Sequence, residues 1–371
     1  MQFSFTSEQE EFRSVLRRFL EDRSPPAVVR RLMETETGWD RDTWRSVNET
    51  LGVAGVHIPE IYGGQGFGYA ELGIVLEEMG RALLCAPFFA STVLAATAIL
   101  QAGTEPQKKD LLPGIAAGET IATLAFTEPN GQWDADGIEM AATSAAGRYR
   151  LDGTKSFVLD GHSADLIVVV ARTPEGLSFF TVAGDAPGLT RRPLKVMDPT
   201  RKLALLTFNG VAAEPLGAVG GGADPFAKTM ILAAVCLANE MVGGAERLRQ
   251  SALDYANLRV QFGRSIASFQ SMKHKQADML VDVELAKSAA YYAAAAADDD
   301  DADLPAVASL AKACAAEAYM QTAIHTIQIH GGIGFTWDND SHLWFKRAKS
   351  SEVFLGDPNW HRERMMQAWG V

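Results

Sequence analysis

The chain changes its hydrophobic period twice, and few architectures accommodate both switches. From Ser7 to about Gly118 the apolar residues recur at helical spacing. Phe12, Val15, Leu16, Phe19 and Leu20 share one face, and Ser7 with Glu10 has the spacing of a capping box. From about Glu119 to Gly217 the pattern becomes short runs rich in β-branched and aromatic residues, "TIATLAF", "ADLIVVVA", "LSFFTV" and "LALLTF". Turns rich in Gly, Pro and Asp separate them. The Gly-rich "GAVGGGADP" at 217–225 closes this block, and Ala-rich helical sequence such as "AKSAAYYAAAAA" follows. A chain of 371 residues is also long for one hydrophobic core. The pattern predicts an α+β multidomain protein with an N-terminal α-helical domain at 1–118 and a middle antiparallel β-barrel or sandwich at 119–222. A C-terminal helical bundle, of the four-helix type, takes up 223–371.

Charge and cysteine usage exclude several functions. The net charge of −12 argues against a nucleic-acid partner held through its phosphates, although local Arg and helix N-termini can still bind a small phosphorylated ligand. Cys85, Cys236 and Cys314 lie far apart in apolar surroundings, without the spacing of a zinc site or a disulfide framework. They read as small buried hydrophobes in a reducing compartment. "SEQEEFR" is too charged for a signal peptide, and apolar runs such as "FFASTVLAATAIL" fall short of a membrane span. A cytoplasmic protein with no membrane partner is expected. The Gly-rich "PEIYGGQGFG" lacks the preceding strand that a dinucleotide loop requires, and the acidic "DDDDAD" at 298–303 reads as a solvated interhelical turn. Neither it nor His325, His330 and His361 has metal-ligand spacing, so no metal site is expected.

Four stretches carry more specific information: "YANLRVQFGRSIASFQSMKHKQADM" at 255–279, "QIHGGIGFTWD" at 328–338, "LAFTEP" at 124–129 and "LDGTKSFVLDG" at 151–161. In this order and spacing the chain resembles the acyl-CoA dehydrogenase family over nearly its whole length. The resemblance implies FAD as cofactor, an acyl-CoA thioester as substrate and an electron-accepting flavoprotein as redox partner. It also implies that Arg259, Gln261 and Phe262, with Phe269 and Gln270 downstream, hold the dinucleotide of a neighbouring subunit. The guanidinium of Arg259 is a fixed fork of donors suited to a pyrophosphate. Gln328, Gly331 and Gly332 match the family's glycine turn, where the backbone approaches the cofactor. Thr127 is placed to hydrogen-bond the flavin and Phe157 to pack against its ring. A shared site of this kind implies a homo-oligomer, dimer or tetramer, or a hetero-oligomer with a second acyl-CoA dehydrogenase-like chain.

The resemblance fails at the chemistry. Trp133 and Leu159 replace a serine and a hydroxyl-bearing residue of the family pattern. "RAKSSEVFLGD" aligns on the segment that ends in Glu-Gly-Thr, so Leu355 stands where the catalytic Glu would be, and Asp357 replaces the Thr. Some relatives carry the base 26 residues before the Arg, which here is Ala233. Glu240, seven residues on and about 10 Å along the helix, and Asp357 are the remaining candidates. Three activities stay open: FAD-dependent α,β-dehydrogenation of an acyl-CoA with an unconventional base; a non-catalytic FAD-clamping subunit of a hetero-oligomeric acyl-CoA dehydrogenase; or a flavin monooxygenase on the same fold.

Overall fold

The computed structural model describes residues 5–145 and 148–371. Six helices come first: α1 (Ser7–Arg23), α2 (Pro26–Met33), α3 (Arg41–Leu51), α4 (Tyr69–Ala82), α5 (Ala96–Ala102) and α6 (Glu105–Ala116). Seven strands follow: β1 (Ala122–Ala125), β2 (Ala141–Ala145), β3 (Arg148–Leu159), β4 (Leu166–Thr173), β5 (Gly176–Ala183), β6 (Leu189–Pro193) and β7 (Leu203–Leu216). The long helix α7 (Ala223–Leu258) leads into a two-stranded ribbon, β8 (Val260–Gln261) and β9 (Arg264–Ser265). Then come α8 (Gln270–Asp298), α9 (Leu304–His330), α10 (Ser341–Val353) and α11 (Pro358–Ala368). In space the chain forms two compact units, one of residues 1–30, 69–84 and 234–371, the other of residues 31–68 and 85–233.

The first unit is helical. The capping box of α1 forms one residue earlier than expected, on Thr6 and Gln9 rather than Ser7 and Glu10. Both registers fit the sequence, but in this one the Gln9 amide also donates to Glu71 at 2.7 Å, an added partner only the fold supplies. Leu16 and Leu20 are buried, while Phe12, Val15 and Phe19 flank them half-buried. Asp298, first of the acidic run, is not simply solvated: its carboxylate accepts the backbone N–H groups of Tyr69 and Ala70 and so caps α4. The most apolar window of α7 is as long and apolar as a membrane span, yet 78% of it is buried within the protein, as in a core helix.

The second unit is built on a closed sheet. Strands β4, β5, β7, β3 and β2 pair in turn and return to β4, with β6 added on β7. Inward residues alternate along the strands, Ile167, Val169 and Ala171 on β4 against Phe180 and Val182 on β5 and Leu206 and Phe208 on β7. The sheet is not antiparallel throughout: β1 runs parallel to β4, pairing Ala122 to Leu166 through Ala125 to Val169. The β2–β3 excursion between them supplies the long crossover a parallel pair needs. The Gly-rich loop at 59–68 spends its backbone donors on protein carbonyls, Gln65 on Gly55, Gly66 on Ile58 and Phe67 on Val56. A side chain on Gly64 would collide with the backbone of Ile58. Its glycines serve a packing turn.

Candidate functional site

One end of the helical unit gathers most of the residues expected to hold a dinucleotide. Beyond α7 the Arg259 N–H donates to the Tyr255 carbonyl at 2.9 Å, and its own carbonyl accepts from Ile266 at 2.8 Å. The ribbon turns at Phe262 and Gly263, both at positive φ (53° and 77°), as a type I′ turn demands. Such a backbone is unfavourable for phenylalanine, yet the Phe262 ring is 91% exposed and meets Phe269 edge-on at 6.0 Å. Arg264 lies over the Phe269 ring at 4.1 Å, and Phe269 holds the position just before α8, so that Gln270 opens that helix, its amide 2.9 Å from His274.

Beneath the ribbon a small core of Ala252, Ala256, Met279 and Ile329 joins the ends of α7 and α9 to the first turns of α8. Tyr255 stacks on His330 at 4.4 Å, and the Lys275 ammonium donates to the Gln328 amide at 3.1 Å. These contacts bring Arg259, Gln261, Phe262, Phe269 and Gln270 to the same corner as Gln328, Gly331 and Gly332. At Gly331 (φ 66°) and Gly332 an added Cβ would meet no protein atom within 4 Å, so the backbone there is bare and open. The guanidinium of Arg259 is exposed and has no ion pair among the described residues. A free guanidinium beside open glycine backbone fits a pyrophosphate-bearing ligand. Lys275, Tyr255 and His330 organise this corner but carry no local signal, because their partners are 53 and 75 residues away.

The second unit holds Thr127 and Phe157. The register of β3 against β7 shifts between Lys155 and Val158, a bulge that turns Phe157 out with φ 57° and leaves it 40% exposed. The Ser156 N–H donates to the carbonyl of Thr127 at 2.9 Å, placing the two expected residues side by side. Behind them Lys155 is fully buried and donates to Glu128 at 2.7 Å and to the Phe126 carbonyl at 3.1 Å. Glu128 also accepts the N–H groups of Glu139 and Met140. Burial pushes the Lys155 ammonium down to about 8, against the opposing pull of Glu128. This pair ties the bulge to the segment after β1, and its two members lie 27 residues apart with no motif linking them. Trp133 packs near Phe126 (6.2 Å between ring centres), and buried Leu159 offers only its carbonyl, which accepts the Thr123 hydroxyl at 2.6 Å.

The turn at 354–357 keeps a shape without its chemistry. Leu355 is buried at φ 62°, and Gly356 follows at φ 104°. Fully buried Lys312, from α9, donates to the carbonyls of Glu352 (2.7 Å) and Gly356. The His361 Nε2 lies 3.0 Å from the Leu355 carbonyl. Burial pushes the His361 imidazole down to about 3, with the Lys312 charge adding to the effect. Both expected bases have partners within the protein. Asp357 is exposed and caps α11, accepting the Trp360 N–H at 2.9 Å. Glu240 is buried in an ion pair with Arg347 of α10 at 2.8 Å, both side chains under a tenth exposed. Ala233 is buried and apolar. Among the described residues no group of three or more His, Cys, Asp or Glu could hold a metal ion.

One family of oxidoreductases accounts for both the helical, β-barrel and helical order and the glycine-and-guanidinium corner. Models of the acyl-CoA dehydrogenase N-terminal, middle and C-terminal domains match residues 6–119, 123–211 and 220–369, and the chain belongs to the acyl-CoA dehydrogenase family, whose members are FAD flavoproteins. Its relatives include acyl-CoA dehydrogenase IpdE2 of Mycobacterium tuberculosis, 36% identical over 334 residues, which are 90% of this chain and 88% of the relative. Butyryl-CoA dehydrogenase from Megasphaera elsdenii is similar with a TM-score of 0.93 and 27% identity, covering 100% of both chains. The ChsE4–ChsE5 complex from Mycobacterium tuberculosis contains a chain similar at TM-score 0.91 and 28% identity, covering 100% of this chain and 99% of that one.

Proposed function

We propose that the chain is the FAD-clamping subunit of an acyl-CoA dehydrogenase built from two different chains, its partner supplying the carboxylate that takes the substrate α-proton. The observation that carries this reading is Leu355: a hydrocarbon side chain on a fully supported turn, where the family places its base. A thioester acidifies its α-proton, and dehydrogenation needs a base positioned above that carbon. Leucine cannot accept a proton, Glu240 is engaged by Arg347, and Asp357 is engaged by the cap of α11. Bound FAD would supply the hydride acceptor.

This chain's own residues bind and orient. Arg259 and the open backbone at Gly331 and Gly332 would hold the pyrophosphate, with Gln261, Phe262, Phe269, Gln270 and Gln328 around it. Thr127 and Phe157 would face a flavin ring. The likeness to one chain of the ChsE4–ChsE5 complex supports an assembly of two related chains. An electron-accepting flavoprotein would then receive the reducing equivalents.

The visible spectrum of the purified protein tests this. The chain alone is expected to be nearly colourless, and co-expression with its partner to yield a flavoprotein that an acyl-CoA bleaches. One FAD per chain in the isolated protein, bleached by an acyl-CoA, would refute the assignment. Arg259→Ala is expected to strip FAD from the assembled protein, and full flavin content in that variant would remove the clamp.

A further inference from the structure

The helical unit contains a cleft of about 130 Å³ whose walls include Arg17, Leu20, Glu78, Arg81, Arg247 and Trp344. One water needs ~10–15 Å³ on this measure, so the space suits a polyatomic group. Arg17 is already committed, with two hydrogen bonds to Glu78 at 2.9 and 2.6 Å. Arg81 and Arg247 are not: both are half-buried, and neither makes an ion pair or hydrogen bond among the described residues. Arg247 lies over the Trp344 ring at 5.9 Å. Nearby carboxylates are engaged elsewhere, Glu246 by Arg249 (2.7 Å) and Lys287 (3.5 Å), and Asp340 by Arg30 (2.7 Å). Glu21, also on the wall, is solvent-exposed. Burial lowers the pKa of Arg81; the charges of Arg17 and Arg247 press the same way, and those of Glu78 and Glu246 oppose them without forming an ion pair with it. Two partly desolvated guanidiniums without acceptors are costly in any fold, and costlier side by side.

We propose that this cleft is a phosphate site in which Arg81 and Arg247 together hold one phosphate group. Two unpaired positive charges match a phosphate dianion better than a single carboxylate, and guanidinium forks match its oxygens in pairs. The apolar faces of Leu20 and Trp344 leave room for the organic part of a phosphate ester. The phosphate comes either from free orthophosphate or from an ester such as the terminal phosphate of coenzyme A.

Calorimetric titration and thermal unfolding of the full-length chain at fixed ionic strength test this, with inorganic phosphate, coenzyme A and acetate as separate probes. Inorganic phosphate or coenzyme A is expected to bind and to raise Tm, whereas acetate leaves it unchanged. Arg81→Gln and Arg247→Gln should each weaken binding by about tenfold or more, the scale of one charge-assisted contact. In phosphate-free buffer Arg81→Gln should unfold close to the wild type, since the guanidinium it removes makes no ion pair or hydrogen bond among the described residues; this separates loss of the site from loss of the fold. Binding of coenzyme A without inorganic phosphate assigns the ester as source, and the reverse assigns the free ion. No binding of either, an equal response to acetate, or unaltered binding in both variants would overturn the proposal.

Discussion

Leu355 sits in the left-handed backbone region, which costs a branched side chain about 1–2 kcal/mol. The conformation persists because the turn is held from outside, by the Lys312 ammonium on the carbonyls of Glu352 and Gly356 and by His361 on that of Leu355. The His361 imidazole is buried neutral, with its pKa down at about 3 against about 6.5 in an unfolded chain. Below 6.5 the unfolded chain therefore binds more protons, so this residue's stability contribution is present above pH 6.5 and lost as pH falls toward 3. His57, buried and pushed down to about 4, acts in the same direction. Stability is expected to fall by up to about 1.4 kcal/mol per pH unit for each, from 6.5 toward 3 for His361 and toward 4 for His57, and His361→Gln should flatten the slope in urea melts taken from pH 7 to 4.5. An unchanged slope would show that His361 titrates normally in the fold.

Glu240 gives a second prediction at this scale. Its buried pair with Arg347 joins α7 to α10, and Glu240→Gln would leave the guanidinium short of its counter-charge. The expected loss is about 3 kcal/mol of stability, measured by denaturant unfolding, while turnover of the assembled enzyme changes little. A 100-fold loss of turnover with normal stability is the general-base signature and would return Glu240 to the chemistry.

Elements here are fixed at their ends by residues far along the chain. The N-terminus of α4 is capped by Asp298, which closes α8 some 229 residues later. Asp298→Ala is expected to cost about 1 kcal/mol and to speed amide exchange in the first turn of α4, leaving α8 protected. Equal exchange along both helices would deny the cap its local role. The bulge in β3 is fixed in the same manner: Lys155 and Glu128 lock the strand to the segment after β1 and leave Phe157 turned outward. The strained Phe262 at the tip of the ribbon is kept with its ring almost fully in water, which the packing of this chain alone does not reward.

Exposed apolar surface gathers on that ribbon and its surroundings: Leu258 and Phe262, Leu280, Val281 and Leu285 on α8, and Phe335 after the glycine turn. Exposed apolar residues of this number on the ribbon and α8 suit a protein–protein contact. Light scattering is expected to show association of the chain with itself or with its partner. Phe262→Asp should shift the protein toward monomer and lower flavin content together. A wild-type chain that stays monomeric even when co-expressed with its partner, or a variant that assembles normally, would place the interface elsewhere.

The alternation of period by itself determined the order helix, barrel, helix, because apolar spacing dictates which face each segment can bury. The short motifs pointed to Arg259, the glycine turn and Leu355 as site positions, since each is a contiguous run whose spacing is readable along the chain. Only the tertiary structure showed what Glu240 and Asp357 contact, because their partners, Arg347 and the first turn of α11, are set by packing and by caps. It alone showed that Lys155 is buried, that the capping box starts at Thr6, and that β1 lies parallel to β4. Periodicity reports which face of a segment is apolar; it does not report which distant charge that face will meet, and that choice belongs to the fold.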